Sequence, residues 1–187
     1  MRKRDKEAWL REGILALAKV GPQSLTVEIM CQRMGVTKGS FYHHFKNRQD
    51  YVEEILKLWE EENTSRLISI TETKHGTEAK LDALLKLVYE IPKDREIAIR
   101  ALALYDPVAR KHQERIDIER QAYLSNLNKA FFTDIKEAEL LATIDYAWYL
   151  GIISIFPEIS KSKLHKIIDT YKMIKQLYMR AKIGGVE

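Results

Sequence analysis

The sequence predicts an all-α protein of about nine helices, and three observations support this. Apolar residues recur at helical spacing through almost the whole chain, as in Leu10, Ile14 and Leu17. No stretch of useful length alternates apolar and polar residues as a half-buried strand would. Each of the four prolines stands where a helix can end or begin.

The first three helices are predicted from their boundary residues. The first helix is expected over 5–20 and stops at Gly21. Thr26 is a suitable N-cap for a second helix, because its hydroxyl can accept from a free N–H of the first turn. Gly35 is a natural residue for the end of that helix, since glycine adopts the left-handed conformation without strain. Thr37 is expected to cap a short third helix.

Six further helices complete the prediction. Asn47 is expected to cap a long fourth helix that reaches about residue 70. Asp106 and Pro107 suit the N-cap and first position of the seventh helix. The ranges expected after the fourth helix are 78–91, 94–105, 107–131, 136–156 and 162–181. The chain is therefore expected to divide into a three-helix, helix-turn-helix domain over 1–48 and a C-terminal helical bundle over 49–187, joined by the long helix.

Positive charge is concentrated in the N-terminal quarter of the chain. Residues 1–48 hold ten Lys/Arg against four Asp/Glu, whereas 49–187 hold 21 against 23. Such asymmetry suggests a polyanionic partner for the basic part. From charge alone, a solvated lysine-rich surface is an equally good interpretation.

The segment 35–45, with the sequence GVTKGSFYHHF, carries the most specific signal. Phe41 and Phe45 are four residues apart and therefore lie on one face of a helix. The opposite face presents small, basic and hydroxyl-bearing groups. A helix anchored in this way is suited to entering the major groove of DNA.

This segment, with Thr26 to Cys31 before it and Lys46 to Arg48 after it, resembles the DNA-binding domain of the TetR family of bacterial transcription regulators. The resemblance covers about residues 8–55. It implies that Tyr42, His44 and Arg48 contact backbone phosphates. The residues expected to contact double-stranded DNA are Thr26, Thr37, Lys38, Gly39, Ser40, Tyr42, His43, His44, Lys46 and Arg48.

Four residues of this region need a separate interpretation. A carboxylate at Glu28 would repel DNA, so it is expected to pair with Arg33 or Lys38; accepting from a cytosine amino group is the alternative. His43 and His44 point about 100° apart on a helix and are not expected to share a metal ion. Cys31 lies on an apolar face and is expected to pack rather than to sense redox state.

The eighth helix is apolar nearly all round, as a helix buried on every side would be. With the ninth helix it is expected to form the two-fold interface of a homodimer, which is also how the family dimerises. A central helix buried inside a monomer is the alternative. The residues expected at the interface are Trp148, Gly151, Ile152, Ile155, Ile167, Tyr171 and Ile174.

The resemblance further implies a C-terminal pocket for a small-molecule effector, whose binding shifts the two recognition helices. The candidate lining residues are Trp59, Tyr89, Arg100, Tyr105, Tyr123 and Trp148. Each of them is also a plausible core or interface residue. The expected function is therefore a sequence-specific regulator, a repressor that an effector releases from a palindromic operator. An effector-independent architectural protein with a solid C-terminal core is the alternative.

Other classes of protein are disfavoured. No GxGxxG, P-loop, HExxH or nucleophile motif is present, so we expect no enzyme, no cofactor and no metal site. The single cysteine suits a reducing cytoplasm. No signal peptide is visible, and the longest nearly apolar run, 147–156, is too short to span a bilayer, so no membrane association is expected.

Overall fold

A computed structural model describes residues 5–183, and in this range the chain forms nine helices and no strand. The basic residues at positions 2–4 lie outside the described residues. The helices of the N-terminal part are α1 (Lys6–Val20), α2 (Val27–Met34) and α3 (Lys38–Tyr42). Helix α4 is continuous through three segments, Arg48–Glu60, a π-helical turn Glu61–Ser65, and Arg66–Glu72. The others are α5 (Thr77–Glu90), α6 (Lys93–Ala103), α7 (Pro107–Asn128), α8 (Ile135–Ile155) and α9 (Lys161–Ile183).

The helix boundaries follow from local chemistry, as predicted. The Thr26 hydroxyl accepts from the Ile29 N–H at 3.2 Å, and the Asn47 side chain accepts from the Asp50 N–H at 2.9 Å. Gly35 ends α2 in the left-handed conformation, with φ of 65°. The all-α architecture with about nine helices is therefore confirmed.

An aromatic cluster forms the core of the N-terminal part. The rings of Trp9, Phe41, Phe45 and Tyr51 are buried and meet mostly edge to face, with the Trp9 and Phe41 centroids 5.5 Å apart. The Tyr51 hydroxyl donates to the Trp9 carbonyl at 2.7 Å. A Cβ at Gly13 would lie 2.3 Å from that hydroxyl oxygen, so α1 and α4 can approach closely only over glycine.

The same core continues across residue 48 into the C-terminal helices. Ile99 and Leu102 of α6 and Ile116 of α7 are buried in the same cluster as Trp9. Helix α1 packs along α6 as well as along α4. The three N-terminal helices are therefore held against the C-terminal bundle by apolar packing as well as by α4.

The π-helical turn in α4 is a feature that the sequence did not predict. It places Thr64 in the interior, where its hydroxyl accepts from Arg120 Nε at 3.0 Å. Arg120 Nη2 also donates to the Asn63 carbonyl at 3.2 Å. A π-helical turn displaces backbone groups from regular pairing, and π-bulges are frequent at functional sites.

Helix α8 is the one helix among residues 5–183 that is long and apolar enough to cross a membrane by length and composition. The core helices of globular proteins often share this length and composition. Here α8 packs along α7, and its Asp145 and Tyr146 side chains hydrogen-bond to neighbouring helices. We therefore treat α8 as part of the C-terminal bundle.

Candidate nucleic-acid interface and effector cavity

One face of helix α3 packs against the core, and the opposite face is exposed to solvent. Phe41 and Phe45 are buried against Trp9, while the Tyr42 side chain is 56% exposed. Backbone bonds continue the turn beyond α3, since the Phe45 N–H donates to the Phe41 carbonyl at 3.0 Å. Of the predicted DNA-contacting residues, those exposed on this surface are Thr37, Lys38, Gly39, Tyr42, His43 and Lys46, and those half-buried are Thr26, Ser40, His44 and Arg48.

Gly39 is not required by the fold of the free protein. A Cβ placed there would meet only the Thr37 hydroxyl oxygen, at 3.7 Å, which is an ordinary contact. The position is exposed at the start of α3. A residue without a side chain there leaves room for a molecule that approaches from outside.

Lys38 and Glu28 form an ion pair across the turn between α2 and α3. The hydrogen bond from Lys38 lowers the pKa of Glu28, and the carboxylate in turn raises the pKa of Lys38. The predicted pairing of Glu28 with a basic neighbour is confirmed. Arg33, the other candidate, instead pairs with Glu12 at 2.6 Å.

Two of the predicted DNA-contacting residues have surroundings that the sequence did not indicate. Thr37 is the N-cap residue of α3, but its side chain makes no capping hydrogen bond. Arg48 is turned toward the protein: Nε donates to the Leu25 carbonyl at 2.8 Å, and Nη1 faces Asp106 at 3.4 Å. The Arg48 guanidinium is therefore committed to protein partners in the free chain, because its position at the start of α4 brings it beside α7.

A cavity of about 390 Å³ lies between α4, α5, α7, α8 and α9. Three predicted pocket residues, Tyr89, Tyr123 and Trp148, line it. Its volume lies within the range of small-molecule sites.

The other three predicted pocket residues do not line the cavity. Trp59 is fully buried in the core shared with the N-terminal helices, and Tyr105 is 79% exposed beyond the end of α6. Arg100 lies behind the wall, where its guanidinium donates to Asp117 at 2.7 Å and to the Tyr146 hydroxyl. Sequence reasoning selected these residues by type, and residue type alone does not determine which side of a helix faces the cavity.

A buried charged network lies behind one wall of the cavity, which it reaches through Arg120 and Tyr146, and the sequence did not indicate it. Glu96 is completely buried and accepts from Arg100 at 2.9 Å and from Arg120 at 3.1 Å. Burial alone would raise the pKa of Asp117, but hydrogen bonds from Arg100 and Tyr146 outweigh it and lower that pKa. The i,i+4 spacing of Glu96 and Arg100 is the one signal visible in the sequence. Nothing in the sequence indicates that Arg120 joins them.

The predicted dimer residues separate into two groups. Ile155 and Ile174 are 70% and 55% exposed, and Gly151 has open space in front of it. Ile152, by contrast, is buried on Leu164 and Ile168 within the chain. Ile167, beside them, is half-buried in the same cluster.

Trp148 and Tyr171 are also engaged within the chain. Their rings stack on each other with centroids 4.2 Å apart, and the Tyr171 hydroxyl donates to Asp145. Ile152, Trp148 and Tyr171 therefore make contacts within the chain that their selection as interface residues did not predict. Several exposed apolar residues of α8 and α9 were not selected, namely Leu140, Ile144, Met173 and Leu177.

Comparison with known proteins agrees with this N-terminal geometry. Residues 12–55 match the family of bacterial regulatory proteins described as the tetR family. The chain is also similar to the HTH-type transcriptional repressor KstR2 of Rhodococcus jostii (strain RHA1), with 31% identity over 114 residues. This match covers 61% of the present chain and spans about half, 53%, of the length of that relative. The matched residues include the anchored helix α3 and its exposed face, so the similarity to the tetR family of bacterial regulatory proteins covers the part of the chain that carries this geometry.

Proposed function

We propose that the protein is a DNA-binding transcriptional regulator that acts as a repressor. The observation that carries the proposal is the exposed outer face of α3, where Lys38, Gly39 and Tyr42 surround a helix that Phe41 holds from behind. Such a helix suits major-groove readout, with cationic and hydroxyl groups available for phosphates and base edges. The similar repressor from Rhodococcus supports the repressor assignment.

The active form is a homodimer that binds a palindromic operator in the cytoplasm. Apolar or small residues recur at heptad-like spacing along α8 (Leu140, Ile144, Ala147, Gly151) and along α9 (Ile167, Thr170, Ile174, Leu177), and all but the half-buried Gly151 and Ile167 are exposed. Two such stripes related by a two-fold axis would bury one another as a four-helix contact. Each subunit would then read one half of the palindrome.

A small-molecule effector releases the repressor. The 390 Å³ cavity supports this proposal over an architectural protein, for which a solid C-terminal core is expected. Helix α4 provides a direct route for the signal, because it begins at Arg48 beside the DNA-binding domain. Its Asn63, Thr64 and Leu67 line the cavity. A displacement of α4 by the effector would change the spacing of the two α3 helices.

Selection of bound sequences from random double-stranded DNA tests this function. We expect an enriched palindrome whose half-sites lie about one helical turn, or a multiple of it, apart. Lys38→Ala and Tyr42→Ala should each weaken binding to the selected sequence, and Lys38→Ala should reduce the salt slope by about one. Lys86→Ala, at an exposed position of α5, is the matched control. Recovery of no enriched sequence, or equal binding by all three variants, would contradict the proposal.

A further inference from the structure

The cavity between α4, α5, α7, α8 and α9 has features that define the chemistry of its ligand. From them we infer that it takes an uncharged, largely apolar molecule carrying a hydrogen-bond acceptor, which the Tyr89 hydroxyl recognises. This inference rests on the proposed function only in calling the ligand an effector.

The apolar part of the wall comes chiefly from α5. Leu81, Leu84, Leu85 and Val88 lie on one face of this helix and line the cavity. No residue of α5 is fully buried, although these side chains face the interior of the bundle. Their apolar surface is thus still available, and a ligand that covers it gains the free energy of apolar burial. The body of the ligand is therefore apolar.

The cations of the wall are already paired with carboxylates. Each of the three cations that line the cavity contacts a carboxylate: Arg120 meets Glu96 at 3.1 Å, Lys172 meets Asp82 at 2.6 Å, and Lys175 meets Asp145 at 2.6 Å. Lys175 also lies 3.3 Å from the Asn128 side-chain oxygen. An anionic ligand would have to break one of these pairs to gain a counterion.

A cationic ligand finds no free carboxylate deep in the cavity either. Asp145, in the wall near Tyr89, accepts from Lys175 and, at 2.9 Å, from the Tyr171 hydroxyl. The remaining acidic residues of the wall, Glu78 and Asp82, are exposed to solvent on α5. Buried charges are stable only when they are paired, so the interior of this cavity favours a neutral guest.

Tyr89 is the polar group that the wall leaves unused. Within residues 5–183 its hydroxyl oxygen is buried and has no hydrogen-bond partner. Burial, and then the nearby Asp145 carboxylate, raise the pKa of Tyr89 well above its usual value near 10, so the hydroxyl keeps its proton and can donate. The ring is held edge to face between Trp148 and Tyr149, at centroid distances of 6.4 and 6.2 Å. A buried donor without a partner is costly, and a ligand carbonyl or ether oxygen would satisfy it.

Calorimetric titration of the full chain, without DNA, compares three probes of similar length and different charge. These are 2-undecanone, decanoate and decyltrimethylammonium. We expect 2-undecanone to bind most tightly, with saturation at one molecule per chain. Tighter binding of decanoate or of decyltrimethylammonium, or the lack of saturable binding by any probe, would overturn the inference.

Two substitutions locate the contact. Tyr89→Phe removes one oxygen and keeps the ring, so it should weaken 2-undecanone binding by about three- to tenfold. Tyr105→Phe removes a hydroxyl from an exposed tyrosine and should leave the affinity unchanged. Equal affinities of the two variants would refute the role of Tyr89. The titration contains no DNA, so its outcome does not depend on whether the protein binds an operator. A negative titration would overturn the ligand assignment and leave the proposed DNA binding untouched.

Discussion

The Arg48 guanidinium, at the first residue of α4, lies 3.4 Å from the carboxylate of Asp106, the N-cap of α7. The same guanidinium donates to the carbonyl of Leu25, just before α2. Asp106 also accepts from the N–H groups of Val108 and Ala109. One arginine thus connects the turn that precedes α2, the start of α4 and the start of α7.

This connection predicts a small coupling between the two side chains. Asp106→Asn keeps a good N-cap and should lower the free energy of unfolding by less than about 1 kcal/mol, because the Arg48 side chain is partly exposed. Asp106→Ala also removes the cap and should cost about 1–2 kcal/mol. Urea unfolding of the parent protein, Asp106→Asn, Arg48→Gln and the double variant forms a double-mutant cycle. The coupling free energy between the two side chains should be about 0.2–1 kcal/mol. Strict additivity would show that the pair is not formed in solution.

Neighbouring aromatic residues of α3 should have opposite phenotypes. Phe41→Ala removes a fully buried ring and should cost about 3–5 kcal/mol of stability in urea unfolding. Tyr42→Phe, at an exposed position, should change stability by less than about 0.5 kcal/mol. In an anisotropy titration, however, Tyr42→Phe should lower the affinity for the operator several-fold. A Tyr42→Phe protein with unchanged affinity would remove Tyr42 from the interface.

The Glu28–Lys38 pair should oppose DNA binding. Glu28→Gln removes a carboxylate from the proposed DNA-binding surface and frees the Lys38 ammonium, so operator affinity should rise several-fold at low salt. The gain should shrink as salt increases, because the interaction is exposed and screened. Glu90→Gln, which removes an exposed carboxylate of α5, is the control. Weaker binding by Glu28→Gln would instead favour a direct contact with a cytosine amino group.

The exposed stripe of α9 should control assembly. Ile174→Glu places a charge where the proposed interface would bury it, which should raise the dimer dissociation constant by at least about tenfold. Leu104→Glu, at an equally exposed apolar position beyond the end of α6, should leave assembly unchanged. Sedimentation velocity at micromolar concentration distinguishes the two. A parent protein that sediments as a monomer would contradict the interface itself.

His112 should make stability depend on pH. Burial lowers the pKa of His112 below its usual value near 6.5, although Glu60, 3.1 Å away, acts in the opposite direction. The unfolded chain therefore binds the proton more readily than the folded chain. The stabilising contribution of neutral His112 to the free energy of unfolding is complete above about pH 6.5, and it is lost as the pH drops toward the pKa of the folded state.

Urea midpoints measured from pH 8 to pH 5 test this dependence. His112→Gln should flatten the slope, whereas His165→Gln, at an exposed position of α9, should not. An unchanged slope in His112→Gln would assign the pH dependence to other groups.

The sequence by itself determined the helices and the anchored face of the proposed DNA-binding element. Local signals suffice for these, because the caps at Thr26, Asn47 and Asp106 and the left-handed Gly35 act within one turn of their own residue. The i,i+4 spacing of Phe41 and Phe45 likewise identifies the anchored face of α3 without further information. These features depend on residues close together in the chain, so they can be predicted from the sequence alone.

Only the tertiary structure decided which residues form the cavity, the buried network and the exposed apolar stripe. In the free chain, Arg48 contacts Asp106, 58 residues away, and no local pattern marks this contact. Tyr105 was expected in a pocket and lies in solvent, whereas Arg120, which no pattern marks, contacts both Glu96 and the π-helical turn of α4. The physical reason is that these side chains are placed by helices packing at long range, and the rotation of each helix about its axis is decided by the packing of the whole bundle.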